Sequence, residues 1–288
     1  MSAVYKKELK SYFTNMTGYI AIALILAMTG FIVKIVSFSG GYPTMELALP
    51  TIALILMLAV PILTMKSFAE ERHQKTDLLL YTLPLKTSEI VLGKYLAMMT
   101  VLAIPTVIMM FYPLILSLYG NVGFLASYTS ILAFYLLSGA MVAICMFMSS
   151  LTESQVIAAV LGAAALILCY ASPLLVSALP NTAVASFIAF SVLVFVIGLI
   201  VYYAVKNYWI AFTSAIVIEA GLMLVYLTNK TVFAGLFQKF ISALSIFEPL
   251  NSFVSNQLVD MTTLIYYLSI SFLFCFLTAQ TVEKRRWS

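Results

Sequence analysis

Two places in this sequence carry side chains whose types could do chemistry. The first is Glu219, alone in the apolar run AFTSAIVIEAGLMLVYL, where no residue of opposite charge accompanies it. A carboxylate deep in a bilayer is costly unless protonated, paired or hydrated. It therefore reads either as a substrate or coupling carboxylate on a transport path, or as a protonated acid hydrogen-bonded to a neighbouring helix through a Ser or Tyr. The second place is 67–89, SFAEERHQKTDLLLYTLPLKTSE, which gathers Glu70, Glu71, Arg72, Lys75, Asp77, Lys86 and Glu89 around a proline, Pro84. Its step Leu78-Leu79-Leu80-Tyr81 is too short to span a membrane and too apolar to stay in water, so it needs a protein or membrane surface.

Other chemistries find no support. The single histidine, His73, lies in that charged loop without a second histidine to help hold a metal. Cys145, Cys169 and Cys275 all sit in apolar runs, as core filler does, and show no zinc-like spacing. Gly93-Lys94-Tyr95 lacks the upstream glycine and the Ser/Thr of a phosphate-cradling loop, so this chain is not expected to hydrolyse nucleotide. There is no H-E-x-x-H, no G-x-S-x-G and no carboxylate pair inside a span. Glu153, in Thr152-Glu153-Ser154-Gln155, reads as the start of a helix, where an acid is favourable.

The elements that must position these residues are membrane helices. Hydrophobic residues make up 63% of the 288 and charged ones 9%, against about 25% charged in soluble domains, too few to cover a surface facing water. Lipid leaves helix bundles or closed barrels, and the apolar runs here are continuous rather than alternating. The expected fold is an all-α integral membrane bundle of about eight spans, near 17–38, 49–68, 90–118, 127–151, 155–179, 183–205, 208–228 and 261–281. Only Leu179–Thr182 and Lys206–Tyr208 separate spans five to seven, so six spans plus re-entrant helices is the alternative. The first run follows Lys6, Lys7 and Lys10 but is longer than a signal-peptide core and reads as a retained span.

With the N-terminus in the cytoplasm, twelve of the 15 basic residues fall inside: Lys6, Lys7, Lys10, Lys66, Arg72, Lys75, Lys86, Lys94, Lys206, Lys284, Arg285 and Arg286. Lys34, Lys230 and Lys239 fall outside. The positive-inside rule favours this orientation, with both termini cytoplasmic. Residues 1–16 can place Val4, Leu9, Tyr12 and Phe13 on one helical face, opposite Lys6, Lys7 and Lys10, which suits a helix lying at the membrane surface. Within 229–260, Leu236, Phe237, Phe240, Ile241 and Leu244 form the apolar face of an external amphipathic helix. The whole chain, 1–288, reads as one membrane domain.

The order of these parts resembles the membrane subunit of an ABC transporter of the ABC-2 (type V exporter) class. Two stretches carry the resemblance. Tyr5-Lys6-Lys7-Glu8-Leu9-Lys10-Ser11-Tyr12-Phe13, followed by Gly18-Tyr19-Ile20, is similar to the family's elbow helix and first span. Phe68 to Lys94 is similar to the pattern E-x-x-x-G-T-x-E-x-L-L-x-x-P, a gap, then E-I-V-x-G-K. Here Lys75 stands for the usual glycine and Asp77 for the usual glutamate. The proline common after the elbow is absent, Asn15-Met16-Thr17 standing there, and eight spans exceed the family's usual six. Glu283-Lys284-Arg285-Arg286-Trp287 resembles the branch of gliding-motility and copper-enzyme-maturation permeases.

The resemblance implies that 67–89 holds a coupling helix resting in a groove of a separate ATPase subunit, with Glu70, Glu71, Arg72, Thr76 and Asp77 as polar contacts and Leu78 and Leu79 as the apolar step. It also implies an elbow helix marked by Tyr5, Lys6, Lys7 and Glu8. The expected partners are that ATPase, which would bind ATP and Mg, a second permease copy or paralogue, and the lipid of a cell membrane, the bacterial plasma membrane. This chain itself is expected to hold no cofactor or metal and to bind no nucleic acid. The competing functions are an ion-coupled secondary transporter using Glu219 and a membrane assembly protein without transport. A secondary transporter would be expected to show paired repeats and several polar midplane residues, neither of which the sequence has.

Overall fold

A computed structural model describes residues 1–41, 44–76, 86–178, 180–205, 208–228, 233–256 and 260–286. Among the described residues the regular elements are helices and there is no strand. Six helical stretches are long and apolar enough to cross a membrane: Thr17–Ser39, Glu46–His73, Thr87–Leu116, Phe124–Leu151, Gln155–Ser177 and Met261–Arg286. Six of the eight expected spans thus stand. The other two fall on helices of 23 and 21 residues, Ala183–Val205 and Tyr208–Thr228, whose described apolar cores are shorter.

The chain forms two compact units. The first comprises Met1–Cys169 and Ile246–Ser288. It contains α1 (Ser2–Thr14), α2 (Thr17–Val33), α3 (Leu49–Thr64), α4 (Ala69–His73), α5 (Thr87–Met109), α6 (Tyr112–Leu116), α7 (Phe124–Leu151) and the first part of α8 (Gln155–Ala178). After the second unit, α12 (Glu248–Asn256) and α13 (Met261–Arg286) complete it. The axis of this unit is α7, the most buried of the spans, packed against α3, α5, α12 and α13. Its run Ser138, Gly139, Ala140 and Ala143 is small enough for neighbouring helices to approach closely, as membrane interfaces require. At the start of α13, Asp260 accepts from the Thr262 amide and the Thr263 hydroxyl, both at 2.9 Å, and these bonds hold its carboxyl below the usual range.

The two ends of this unit differ in chemistry. One holds α1, α4, the α7–α8 turn and the C-terminal end of α13, where Arg285 lies 3.4 Å from Glu153. Lys6, Lys7, Lys10, Lys66, Arg72, Lys75, Lys86 and Lys284 to Arg286 collect there. The opposite end carries Lys34 and a buried acid, Glu46, which accepts from Ser127 Oγ at 2.7 Å.

The second unit, Tyr170–Ser245, holds the rest of α8, α9 (Ala183–Val205), α10 (Tyr208–Thr228) and α11 (Leu236–Ala243). α9 packs along α10. Phe190 on α9 lies within 5.2–6.4 Å of Phe233, Phe237 and Phe240, so the apolar face expected on 236–244 rests on α9 through aromatic edges.

Candidate functional site

The site assembles at the basic end of the first unit, and it begins with α1. Val4, Glu8 and Tyr12 recur every fourth residue and form its buried face, while Lys6, Lys7 and Lys10 point to solvent. Burial, helped by the charge of Glu8, pushes the Tyr12 phenol up. The chain leaves α1 through Met16 at φ +59°, a turn closed to proline. That accounts for the missing proline at this turn. Gly18 follows, where a Cβ would lie 3.0 Å from the Tyr12 carbonyl oxygen, so only glycine lets α2 start so close to α1. The buried face of α1 lies on α5: Tyr5 Oη meets Thr100 Oγ1 at 3.0 Å, and a Cβ on Gly93 would lie 3.1 Å from Val4.

Next to Gly93 is Lys94, which is 1% exposed. Its ammonium donates to Glu8 Oε1 at 3.0 Å and to the Ser67 carbonyl at 2.7 Å, and it lies 3.0 Å from Glu71 Oε2. The Phe68 ring centroid is 5.1 Å away. Three acceptors match the three N–H groups of an ammonium. They come from α1, from the turn before α4 and from α4. Lys7, largely exposed, adds a second cation 3.2 Å from Glu71 Oε1.

α4 is also held from α7. Ser149 Oγ accepts from the Phe68 and Ala69 amides at 3.4 and 3.2 Å, capping the first turn of α4. In return Arg72 donates through Nη1 to the Ser150 carbonyl, one of the orphan carbonyls at the end of α7. The loop closes through Lys75 at φ +56°. The left-handed region favours glycine, which explains why the related pattern has glycine at this position.

These placements sort the expected docking residues. Arg72, expected among the polar contacts of a docking rim, is 6% exposed and donates to the Ser150 carbonyl of α7. Glu71 is likewise drawn inward, because the buried Lys94 needs counter-charge. Glu70 is half-buried, as Glu71 is, but accepts from Nε2 of the exposed Gln74 at 3.3 Å instead of meeting Lys94, and His73 and Lys75 are exposed. Thr76 donates to the Glu71 carbonyl at 3.2 Å. Asp77, Leu78 and Leu79 lie outside the described residues. In α1, Tyr5 and Glu8 are structural contacts, Lys6 is exposed, and Lys7 pairs with Glu71. Sequence reasoning missed Lys94 and Ser149.

Glu219, on α10, accepts a hydrogen bond from Ser191 Oγ on α9. Helix-to-helix hydrogen bonds in membranes are worth about 0.6 kcal/mol on average. Glu219→Gln and Ser191→Ala should therefore each shift the detergent melting transition only slightly, with normal expression. A fall in transport by Glu219→Gln at full expression would instead put this acid on the transport path. Among the described residues no group of three or more His, Cys, Asp or Glu could hold a metal ion.

An all-α membrane bundle, with a surface helix and a short loop helix anchored at one end, defines the class of this protein. The sequence matches the family described as ABC-2 family transporter protein over residues 5–218, more than half its length, and the chain belongs to that family. It is thus a multi-pass membrane permease component of an ABC transporter. Comparison with curated proteins gives no match.

Proposed function

We propose that this chain is the permease subunit of an exporter, driven by a separate ATPase that docks on α4, and that a second permease copy or paralogue completes the membrane half. The observation that carries the reading is the mounting of α4. This five-residue helix is too short to hold itself, yet it is fixed from behind by Lys94, Ser149 and Arg72 and leaves His73, Gln74 and Lys75 exposed, with the half-buried Glu70 bonded to Gln74. A rigidly backed polar helix with an adjoining apolar step, Leu78-Leu79, suits a surface that must transmit a push. In this reading ATP and Mg bind the partner, the purified permease alone hydrolyses no nucleotide, and the basic end faces the cytoplasm of a bacterial plasma membrane.

The test is recovery of the ATPase from detergent with wild type, with Glu70→Lys/Gln74→Lys, and with a control, Lys239→Glu. One exposed ion pair is worth about 0–1 kcal/mol, but opposed like charges cost more. The double variant should fold and insert normally while ATPase recovery falls about tenfold, the change that about 1.4 kcal/mol produces. Equal recovery in all three would remove the outer face of α4 from the docking surface.

A further inference from the structure

We propose that Lys94 is a positioning residue that clamps the surface helix α1 and the loop helix α4 into one moving unit, so that displacement of α4 carries α1 with it. The inference deepens the ATPase-docking reading and rests on it only for what does the pushing. Docking needs α4 alone. The geometry ties in a second helix.

The tie is specific. Glu8 of α1 and Glu71 of α4 each lie 3.0 Å from the same ammonium, and the third N–H goes to Ser67 in the turn leading into α4. The two carboxylate side chains are 11% and 13% exposed, and the lysine side chain 1%. Withdrawing either helix by itself would strip a buried carboxylate of its counter-ion and leave the ammonium short of an acceptor, a costly state in a weakly screened site. Moving both helices with the end of α5 leaves all three contacts made. Gly93 reinforces the arrangement, since the absent Cβ lets Val4 seat against α5 beside the ammonium. The direct α1–α4 ion pair, Lys7 with Glu71, involves a lysine side chain that is 60% exposed, so water screens it and it is the weaker link. Lys94 is thus the stronger of the two ties between them.

Glu8→Ala cuts the α1 leg and leaves Lys94 neutralised by Glu71. Lys94→Arg keeps the cation and can still face both carboxylates. In the purified permease, spin labels at Lys10→Cys and His73→Cys report the α1–α4 distance. Both sites are exposed, whereas the native cysteines are buried or half-buried. The distance distribution should be narrow in the otherwise wild-type chain and with Lys94→Arg. It should at least double in width with Glu8→Ala, at unchanged elution volume. Equal widths in all three would overturn the clamp.

A second pair, Lys10→Cys with Leu118→Cys at the opposite end, is read in the complex with its ATPase, with and without ATP trapped by vanadate. Nucleotide should shift this distance in the wild type and not in Glu8→Ala, at equal ATPase recovery. A shift of the same size in Glu8→Ala would also overturn the proposal. Failure of the wild type to recover any ATPase would defeat the docking reading instead, and the permease-alone distances would still decide the clamp.

Discussion

Lys94→Met should destabilise the permease by about 3–5 kcal/mol, the cost of breaking a buried ion pair by removing one partner. The methionine fills much of the space and keeps the contact with Phe68, so the loss is electrostatic rather than steric. What remains is Glu8 and Glu71, two carboxylates that shared one counter-ion and now, among the described residues, have the solvent-exposed Lys7 as their paired cation. The expected result is a melting transition in detergent lowered by several degrees, with α1 and α4 both losing protection from hydrogen exchange. Glu70→Gln is the control. Its carboxylate is next in sequence to that of Glu71 but accepts from the exposed Gln74 instead of Lys94, and its change should stay within the roughly 0–1 kcal/mol of exposed pairs. If Lys94→Met melts like wild type, the ammonium is not the keystone of this end.

The contrast between Glu70 and Glu71 also shows which parts of this molecule were legible in its sequence. Six of the eight expected spans were, because lipid demands long continuous apolar runs and the sequence supplies them. So was the helical form of α1, whose apolar positions recur with helical period over 13 residues. The inward face of the loop helix was not. Five residues hold barely more than one turn, too few for a pattern to show which side is buried. Glu70, Glu71 and Arg72 therefore looked alike as rim charges, and docking against α5 and α7 is what separates them. Glu8 was hidden for a related reason: an acid on the apolar face of α1 looks like a break in the pattern until its partner is known.

Lys94 left a trace that could have been followed. It sits inside an apolar stretch, Ile90-Val91-Leu92-Gly93 before it and Tyr95-Leu96-Ala97 after it, where an ammonium needs counter-charge. Seven of the 11 acids are expected on the same side of the membrane, and Glu8 and Glu71 are among them. The reciprocal capping between α4 and α7 left no such trace. Ser149 is one of many serines in apolar runs, and its role comes from where the C-terminal turn of α7 meets the chain 80 residues earlier.

That capping makes Arg72→Glu the second change with a large expected effect, in the same range of about 3–5 kcal/mol. A hydrogen bond from a charged donor is worth about 1.5–3 kcal/mol, and the substitution removes the one that Arg72 makes to the Ser150 carbonyl. It also puts a buried anion against the C-terminal end of α7, where the carbonyls already carry partial negative charge. Both terms act in the same direction, and neither touches the Lys94 cluster. Hydrogen exchange should separate the two lesions. Arg72→Glu should free 66–76 while α1 stays protected through Glu8 and Lys94, whereas Lys94→Met should free both. Ser149→Ala removes the acceptor for the Phe68 and Ala69 amides and the hydroxyl's own bond to the Met65 carbonyl. It should free the same segment as Arg72→Glu at a smaller cost, about 1–3 kcal/mol for buried donors left unpaired. Arg72→Lys keeps a cation that can reach a single acceptor and should fall between wild type and Arg72→Glu. If Arg72→Glu leaves 66–76 as protected as in wild type, the loop helix does not depend on α7, and Lys94 holds it without help.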